Sequence, residues 1–481
     1  LNTQKEFLIN VLILHINYLF LASKTIVMKF KFLLSAFSLM YLLSSCKNDS
    51  DTVVVKDTAT IDGHPSWIMQ GNIYEVNVRQ YTPEGTFKAF EQHIDRLKEM
   101  GVQTLWFMPI HPISKLDRKG TLGSYYAVQS YVDVNPEFGT LEDWKSLVKK
   151  CHSLGMKVII DWVPNHTGAD HKWLTTNPDF YVLDSVTKKP ISPFDWTDTR
   201  KLNYENLAFQ DTMIAQMKFW ITETDIDGFR CDVAGEVKNE FWKKCITALK
   251  KEKNIFMLAE GDKKGLHESG FDANYAWHDF AVLKQIANGS RNISSLDSAI
   301  AKADTLYPSN ATRMFFTSNH DENTWNKADY ATMPGAVHAP FAVLTQTMKQ
   351  SVPLIYSGQE EPFLDSLSFF YKDTISFGKY ERANFYKTLL TLRKNNAALS
   401  ANASFKKVSV GDDKFVYAFV REKDKNKVLV ILNLSANPQN ILIKDAGLLG
   451  KAYNVFMGSS EELKNSNWQI EPWGYVVYEY K

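Results

Sequence analysis

From Trp67 to about Asn396 the chain alternates between short runs of β-branched and aromatic residues and longer stretches whose apolar positions recur at helical spacing. The short runs predict strands at Asn72–Val78, Val102–Pro109, Lys157–Val163, Asp227–Val233, Ile255–Glu260, Phe271–Trp277, Thr312–Asn319 and Val352–Ser357. The stretches between them predict helices at Phe87–Met100, Leu141–Leu154, Phe209–Glu223, Glu240–Lys251, near His278–Ala287, and at Ile293–Ala303, Ala336–Gln350 and Ala383–Asn395. Eight strands interleaved with helices predict an α/β fold, a (β/α)8 barrel over residues 65–396. A doubly wound sheet is the competing architecture, but no Gly-rich phosphate loop follows the first strand. The connection 165–203 is long, polar and irregular, and carries Trp173, Phe180, Tyr181 and Trp196. It leaves the C-terminal end of the third strand, the face on which barrels build their sites. Beyond residue 396 only strand patterns remain: Phe405–Val410, Lys414–Arg421, Lys427–Leu434, Asn440–Ile443, Ala452–Phe456 and Gly474–Tyr480. They predict a separate antiparallel β-sandwich over 397–481.

The first 64 residues follow a different pattern. An apolar stretch, Phe7–Ala22, is interrupted by Asn10, His15 and Asn17. A second, Phe32–Leu43, follows Met28, Lys29 and Lys31 and ends at Leu43-Ser44-Ser45-Cys46. A basic segment before about a dozen apolar residues is a secretory signal, too short for a comfortable bilayer span. The ending resembles the lipobox of bacterial lipoproteins, which implies acylation of Cys46. Residues 1–45 are therefore expected to be a signal peptide, with 1–27 an upstream extension, and 46–64 a polar tether.

Composition narrows the picture. Hydrophobic residues make up 44% of the 481 and charged residues 23%, which excludes a disordered chain or a multi-span membrane protein. Lys+Arg is 55 against 54 for Asp+Glu, so there is no electrostatic footprint for nucleic acid. Aromatics reach 13%; flat rings suit sugars but also build cores, so this alone decides nothing. The four cysteines form no CxxC pair and no disulfide framework, and Cys151, Cys231 and Cys245 read as small buried hydrophobes.

Chemistry gathers at the predicted strand ends. The third ends Asp161-Trp-Val-Pro-Asn165-His166, the fourth carries Gly228-Phe-Arg230-Cys-Asp232, the fifth ends at Glu260, and the seventh at Asn319-His320-Asp321. A single acid at a strand end is more often a helix cap. Crowded carboxylates, by contrast, shift apart in pKa and can divide acid and nucleophile roles.

These motifs, with Tyr125-Tyr126-Ala-Val-Gln-Ser-Tyr131 and Val134-Asn-Pro-Glu-Phe-Gly-Thr140, resemble the alpha-amylase family of glycoside hydrolases over about residues 65–481. The resemblance implies that Asp232 is the nucleophile, Glu260 the general acid and then base, and Asp321 a grip on sugar hydroxyls. It implies that Arg230 orients Asp232 and that Asp161 supports that arginine. His166 and His320 would bond the sugar, and Tyr126 would stack on it. No cofactor is required, although the family's calcium site would include Asn165. Asp-Val-Ala-Gly235-Glu236-Val, with Lys201-Leu202-Asn203, is similar to the neopullulanase and cyclomaltodextrinase group, whose members accept α-1,4 and α-1,6 glucosidic bonds. Gly235 and Glu236 stand where ordinary amylases carry Lys-His on the leaving-group side, and are expected to contact substrate. The missing histidine weakens the calcium expectation. The absence of that group's extra amino-terminal β-domain leaves dimerisation open.

The expectation is a retaining α-glucan hydrolase acting on starch, maltooligosaccharides or pullulan. It would be exported and held through Cys46 at the bacterial outer membrane, on the cell surface or the periplasmic face. A transglycosylase or isomerase with the same residues is one alternative. A non-catalytic starch-binding lipoprotein is another, disfavoured because all three carboxylates are present.

Overall fold

A computed structural model describes residues 58–326, 333 and 335–480. The expected signal segments and Cys46 lie outside them. Eight parallel strands run β1 (Ile73–Val76), β2 (Thr104–Phe107), β3 (Lys157–Trp162), β4 (Gly228–Cys231), β5 (Phe256–Ala259), β6 (Ala273–Tyr275), β7 (Thr312–Met314) and β8 (Leu354–Tyr356). β1 to β7 pair successively in chain order, and β8 pairs with β1. Arg313 N donates to Gln350 O at 2.8 Å and Val352 N to Arg313 O at 2.9 Å, so the sheet closes between β7 and β8. Closure leaves no edge and buries both faces, which is why these strands are almost continuously apolar. Gly228 opens β4 beneath Phe256 O; a Cβ there would stand 2.0 Å from that oxygen, so only glycine fits.

The helices fall where periodicity places them, with one exception. Phe87–Met100 is two helices, Phe87–Glu91 and Ile94–Met100, divided at Gln92 and His93. Thr140 and Asp143 form a reciprocal capping box that starts the helix Leu141–Ser153. The loop 165–203 is more ordered than its composition implies. His166–Gly168 pairs antiparallel with Thr199–Lys201, and Tyr181 bridges Leu202. Gly168 packs so closely on the loop after β2 that a Cβ would meet Ser114 Cβ at 2.3 Å.

Residues 60–64, assigned by sequence to the tether, belong to the fold. Thr60–Ile61 pairs with His64–Pro65, and the buried His64 bonds Asp272 and Asn310 O. The C-terminal region has eight strands, two more than expected: β9 (Lys406–Lys407), β10 (Val416–Lys423), β11 (Asn426–Asn433), β12 (Gln439–Ile441), β13 (Gly450–Asn454), β14 (Ser459–Leu463), β15 (Trp468–Ile470) and β16 (Tyr475–Tyr480). Six form one antiparallel sheet in the order β9-β10-β11-β16-β13-β14, and β12 and β15 form a second. Alternation along β10 sends Tyr417 and Phe419 into a core shared with Phe341 and Leu344 of the barrel helix His338–Thr347. Val416, Ala418 and Val420 face the opposite way and meet Ile441 and Ile470 of the small sheet. The sandwich therefore packs continuously onto the barrel instead of standing apart from it.

Candidate active site

Consecutive strands deliver the acids. Arg230, inside β4 and wholly buried, is two residues from Asp232 and so shares its face. Its Nη1 donates to Asp232 Oδ1 at 2.8 Å and to Asp161 of β3 at 2.9 and 3.2 Å. Its Nη2 stands 3.0 Å from Glu260 Oε2, just past the end of β5, and its Nε donates to Tyr275 of β6 at 3.0 Å. One guanidinium thus gathers three carboxylates. A buried cation needs such partners, and arginine's planar fork suits several at once. Val233 holds a left-handed conformation (φ 41°), uncommon for a β-branched residue, and in it donates its N–H to Glu260 Oε2 at 2.7 Å. Local backbone strain beside the nucleophile position therefore helps to hold the acid.

The other acid arrives on the short helix His320–Trp325. Asn319 caps it, accepting from Glu322 N at 2.8 Å, and so fixes His320 and Asp321 in the first turn. His320 Nε2 lies 2.7 Å from Tyr126 Oη and 3.4 Å from Asp321 Oδ2, while Nδ1 lies 2.5 Å from Glu75 Oε1. Both ring nitrogens thus already have partners within the protein. Tyr126 Oη donates to Asp161 Oδ2 at 3.2 Å, and its ring lies parallel to Phe369 at 6.0 Å.

Asp232, Glu260, Asp321 and His320 border a cavity of about 440 Å³. His166, Trp196, Tyr126, Trp325, Phe369 and Phe370 also line it. The aromatics fall into two groups. Trp196 meets the His166 ring at 5.2 Å and Phe194 at 4.8 Å; Phe369 joins Trp325 at 5.2 Å to the Tyr126 ring. Phe194 is 64% exposed and Trp325 56%, an exposure of large apolar faces that suits contact with a ligand.

Burial pushes Asp232 upward, opposed by Arg230 and reinforced by Glu260 and Asp161. Burial likewise raises Asp161, to about 6, with Arg230 pulling back. Burial lowers the His166 imidazole to about 3, so it is neutral, and its Nε2 has no partner in the protein.

Asp161, His166, Arg230, Asp232, Glu260, His320, Asp321 and Tyr126 are thus brought together as expected. Gly235 and Glu236 are not among the residues that line the cavity. They form a short turn after β4, where Gly235 N donates to Glu260 O at 3.3 Å and Glu236 lies 3.4 Å from Lys263 Nζ. Glu236 does not cap the following helix, which begins at Asn239 without a side-chain cap. At the expected calcium position the Asn165 amide turns to the His166 ring and Glu236 is paired with Lys263; among the described residues no group of three or more His, Cys, Asp or Glu side chains is arranged to hold a metal ion.

The family model for the alpha amylase catalytic domain matches residues 48–200 and 181–381. The chain belongs to the alpha-amylase family. The chain is similar to alpha-amylase MalA of Haloarcula japonica, 25% identical over 402 residues, 78% of this chain but 57% of MalA. It thus spans little more than half the length of that relative. It is 27% identical to neopullulanase 2 of Thermoactinomyces vulgaris over 416 residues, 77% of this chain and 66% of that protein. The crystal structure of a noncanonic maltogenic alpha-amylase, AmyB from Thermotoga neapolitana, superposes with a TM-score of 0.78 at 26% identity, covering 86% of this chain and 99% of AmyB. The alpha-amylase fold thus holds from barrel to C-terminal sheet.

Sequence reasoning missed Glu75, Trp325, Phe369 and Phe370. Glu75 left one signal, a lone acid inside a run that is otherwise buried and apolar. Trp325 ends the short helix His320–Trp325 and Phe369 and Phe370 sit on a loop, and nothing in the sequence marks them.

Proposed function

We propose that the protein is a retaining α-glucan hydrolase that cleaves α-1,4 glucosidic bonds and tolerates α-1,6 bonds. The observation that carries this reading is the shared engagement of Asp232 and Glu260 by Arg230 at the border of an aromatic-lined cavity. A retaining pair stands about 5–5.5 Å apart, and two carboxylates held by one guanidinium suit that spacing better than the wider inverting one. Glu260 gives its proton to the glycosidic oxygen while an Asp232 oxygen bonds the anomeric carbon and the C–O bond to the leaving sugar breaks. Water then replaces Asp232, losing its proton to Glu260, and both carboxyls return to their starting state. Asp321 accepts hydrogen bonds from sugar hydroxyls, and the unpartnered Nε2 of His166 is available to another. The two aromatic groups offer stacking faces to glucose units beyond the scissile bond.

The α-1,6 tolerance draws support from likeness to a neopullulanase, and from the turn of Gly235 and Glu236, which does not line the cavity but bonds the Glu260 backbone through Gly235 N–H. The proposed location is a lipid-anchored one through Cys46; no helix among the described residues is long and apolar enough to cross a membrane. Cys46→Ala should move the protein from the membrane fraction to the soluble one. Its retention on membranes would defeat the anchor.

The catalytic assignment is tested by Asp232→Asn and Glu260→Gln, assayed for reducing ends released from starch with the fold checked by circular dichroism. Both should lose more than a thousandfold in kcat. A tenth of wild-type rate, a barrier change of only about 1.4 kcal/mol, would overturn the assignment.

A further inference from the structure

Glu75 lies inside β1, wholly buried, and takes no part in the chemistry described above. Its Oε1 faces His320 Nδ1 at 2.5 Å and its Oε2 has no hydrogen-bond partner. From His320 a line of hydrogen bonds continues through Nε2 to Tyr126 Oη, then to Asp161 Oδ2 and on to Arg230 Nη1. Proton accounting fixes its direction. Tyr126 has one hydroxyl proton, and Asp161, bound to Arg230 as a carboxylate, can only accept it. His320 Nε2 must then be the donor to Tyr126. Nδ1 faces a carboxyl group and shares the remaining proton with it.

We propose that Glu75 is a positioning residue that holds His320 as an Nε2–H donor and so locks Tyr126, Asp161 and Arg230 in one orientation around Asp232. With a neutral side chain at position 75, Nδ1 can keep the ring's only proton. Nε2 is then a lone pair, Tyr126 turns its proton toward it, and Asp161 loses a donor. Without that donor, Asp161 is left to Arg230 alone and draws the guanidinium away from Asp232. The groups facing His320 and Glu75 agree with this assignment. Asp321 follows His320 on its own helix, Arg230 and Asp161 come from β4 and β3, Tyr126 from the loop after β2, and Tyr356 and Tyr275 face Glu75 from β8 and β6. Burial opposes charge on the imidazole, but Asp321 and Glu75 outweigh it and raise His320 to about 9, against Arg230. The ring therefore carries both protons across the neutral range.

The inference rests on the hydrolase reading only for its activity arm. Its first test is spectroscopic and needs no substrate. In protein labelled with ¹⁵N-histidine, with His320 assigned by comparison with His320→Gln, both ring nitrogens should be protonated at pH 7. In Glu75→Gln the His320 midpoint should fall by ~1–3 pH units, the usual effect of losing an adjacent opposite charge. The alkaline limb of kcat/KM should move to lower pH with it, the loss lying in kcat more than in KM, and Glu75→Asp should restore part of the charge and part of the rate. If Glu75→Gln does not fold, the wild-type spectrum decides: an unprotonated Nε2 at pH 7 overturns the proposal. So does a Glu75→Gln enzyme with an unmoved His320 midpoint, or one whose activity drops equally at every pH. A normal His320 spectrum in a protein that releases no sugar would instead count against the hydrolase reading.

Discussion

Arg230 Nη1 lies 2.8 Å from Asp232 Oδ1, and this contact sets the geometry of the site because the same guanidinium also reaches Asp161 and Glu260. Lysine at 230 would keep the charge but supply one ammonium where a planar fork serves three acids and Tyr275. Arg230→Lys should therefore fold, melt lower, and lose at least ~10²-fold in kcat, the usual scale for losing one preorganised electrostatic contact. Steady-state kinetics on maltooligosaccharides will measure this. A loss under tenfold would mean that Arg230 is a structural plug only.

Gly235 leaves room for Lys263, whose Cδ and Cε would stand 3.6 Å from a Cβ placed there. Lysine at 235 must displace that side chain, and histidine at 236 removes its acidic partner. By displacing Lys263 and disturbing the turn whose Gly235 N–H bonds Glu260 O, Gly235→Lys/Glu236→His should lower the ratio of pullulan to soluble-starch turnover ~5-fold or more, a discrimination on the ~1–3 kcal/mol scale. An unchanged ratio, or a wild type that ignores pullulan, would refute the proposed tolerance of α-1,6 bonds.

At the opposite end of β3 and β4, His152 Nε2 lies 2.8 Å from the buried Asp227 and Nδ1 lies 3.3 Å from Asp225. Burial works against the charged ring, but the two carboxylates raise it to about 9. A raised pKa means that the stabilisation is complete below the unfolded value near ~6.5 and is lost as pH climbs through about 9. The Tm gap between wild type and His152→Gln should thus be widest near pH 6 and shrink toward pH 10. Parallel curves across that range would show that the ion pair contributes nothing.

The barrel was legible because closure buries its strands on both faces. Runs such as Ile73–Val76 and Thr104–Phe107 have no solvent face to dilute them. The acids of β3 to β5 and β7 were legible for the complementary reason, since a charged residue at the end of an apolar run is costly without a purpose. β14, Ser459–Leu463, escaped notice because it is a sheet edge of mostly exposed polar residues, with no alternation to read. Residues 60–64 looked like tether because what docks them is specific contact, His64 on Asp272 and on Asn310 O, and not apolar content. Gly235 and Glu236 matched a motif in sequence, yet the turn after β4 directs Glu236 to Lys263 and away from the cavity lining, a matter of backbone path that residue identity does not encode.

The most direct test of double displacement from Asp232 is the anomeric form of the first product. Proton NMR during the first minutes of maltooligosaccharide hydrolysis, before mutarotation, should show new reducing ends as the α-anomer, since two inversions restore the starting configuration. New reducing ends that appear first as the β-anomer would contradict it.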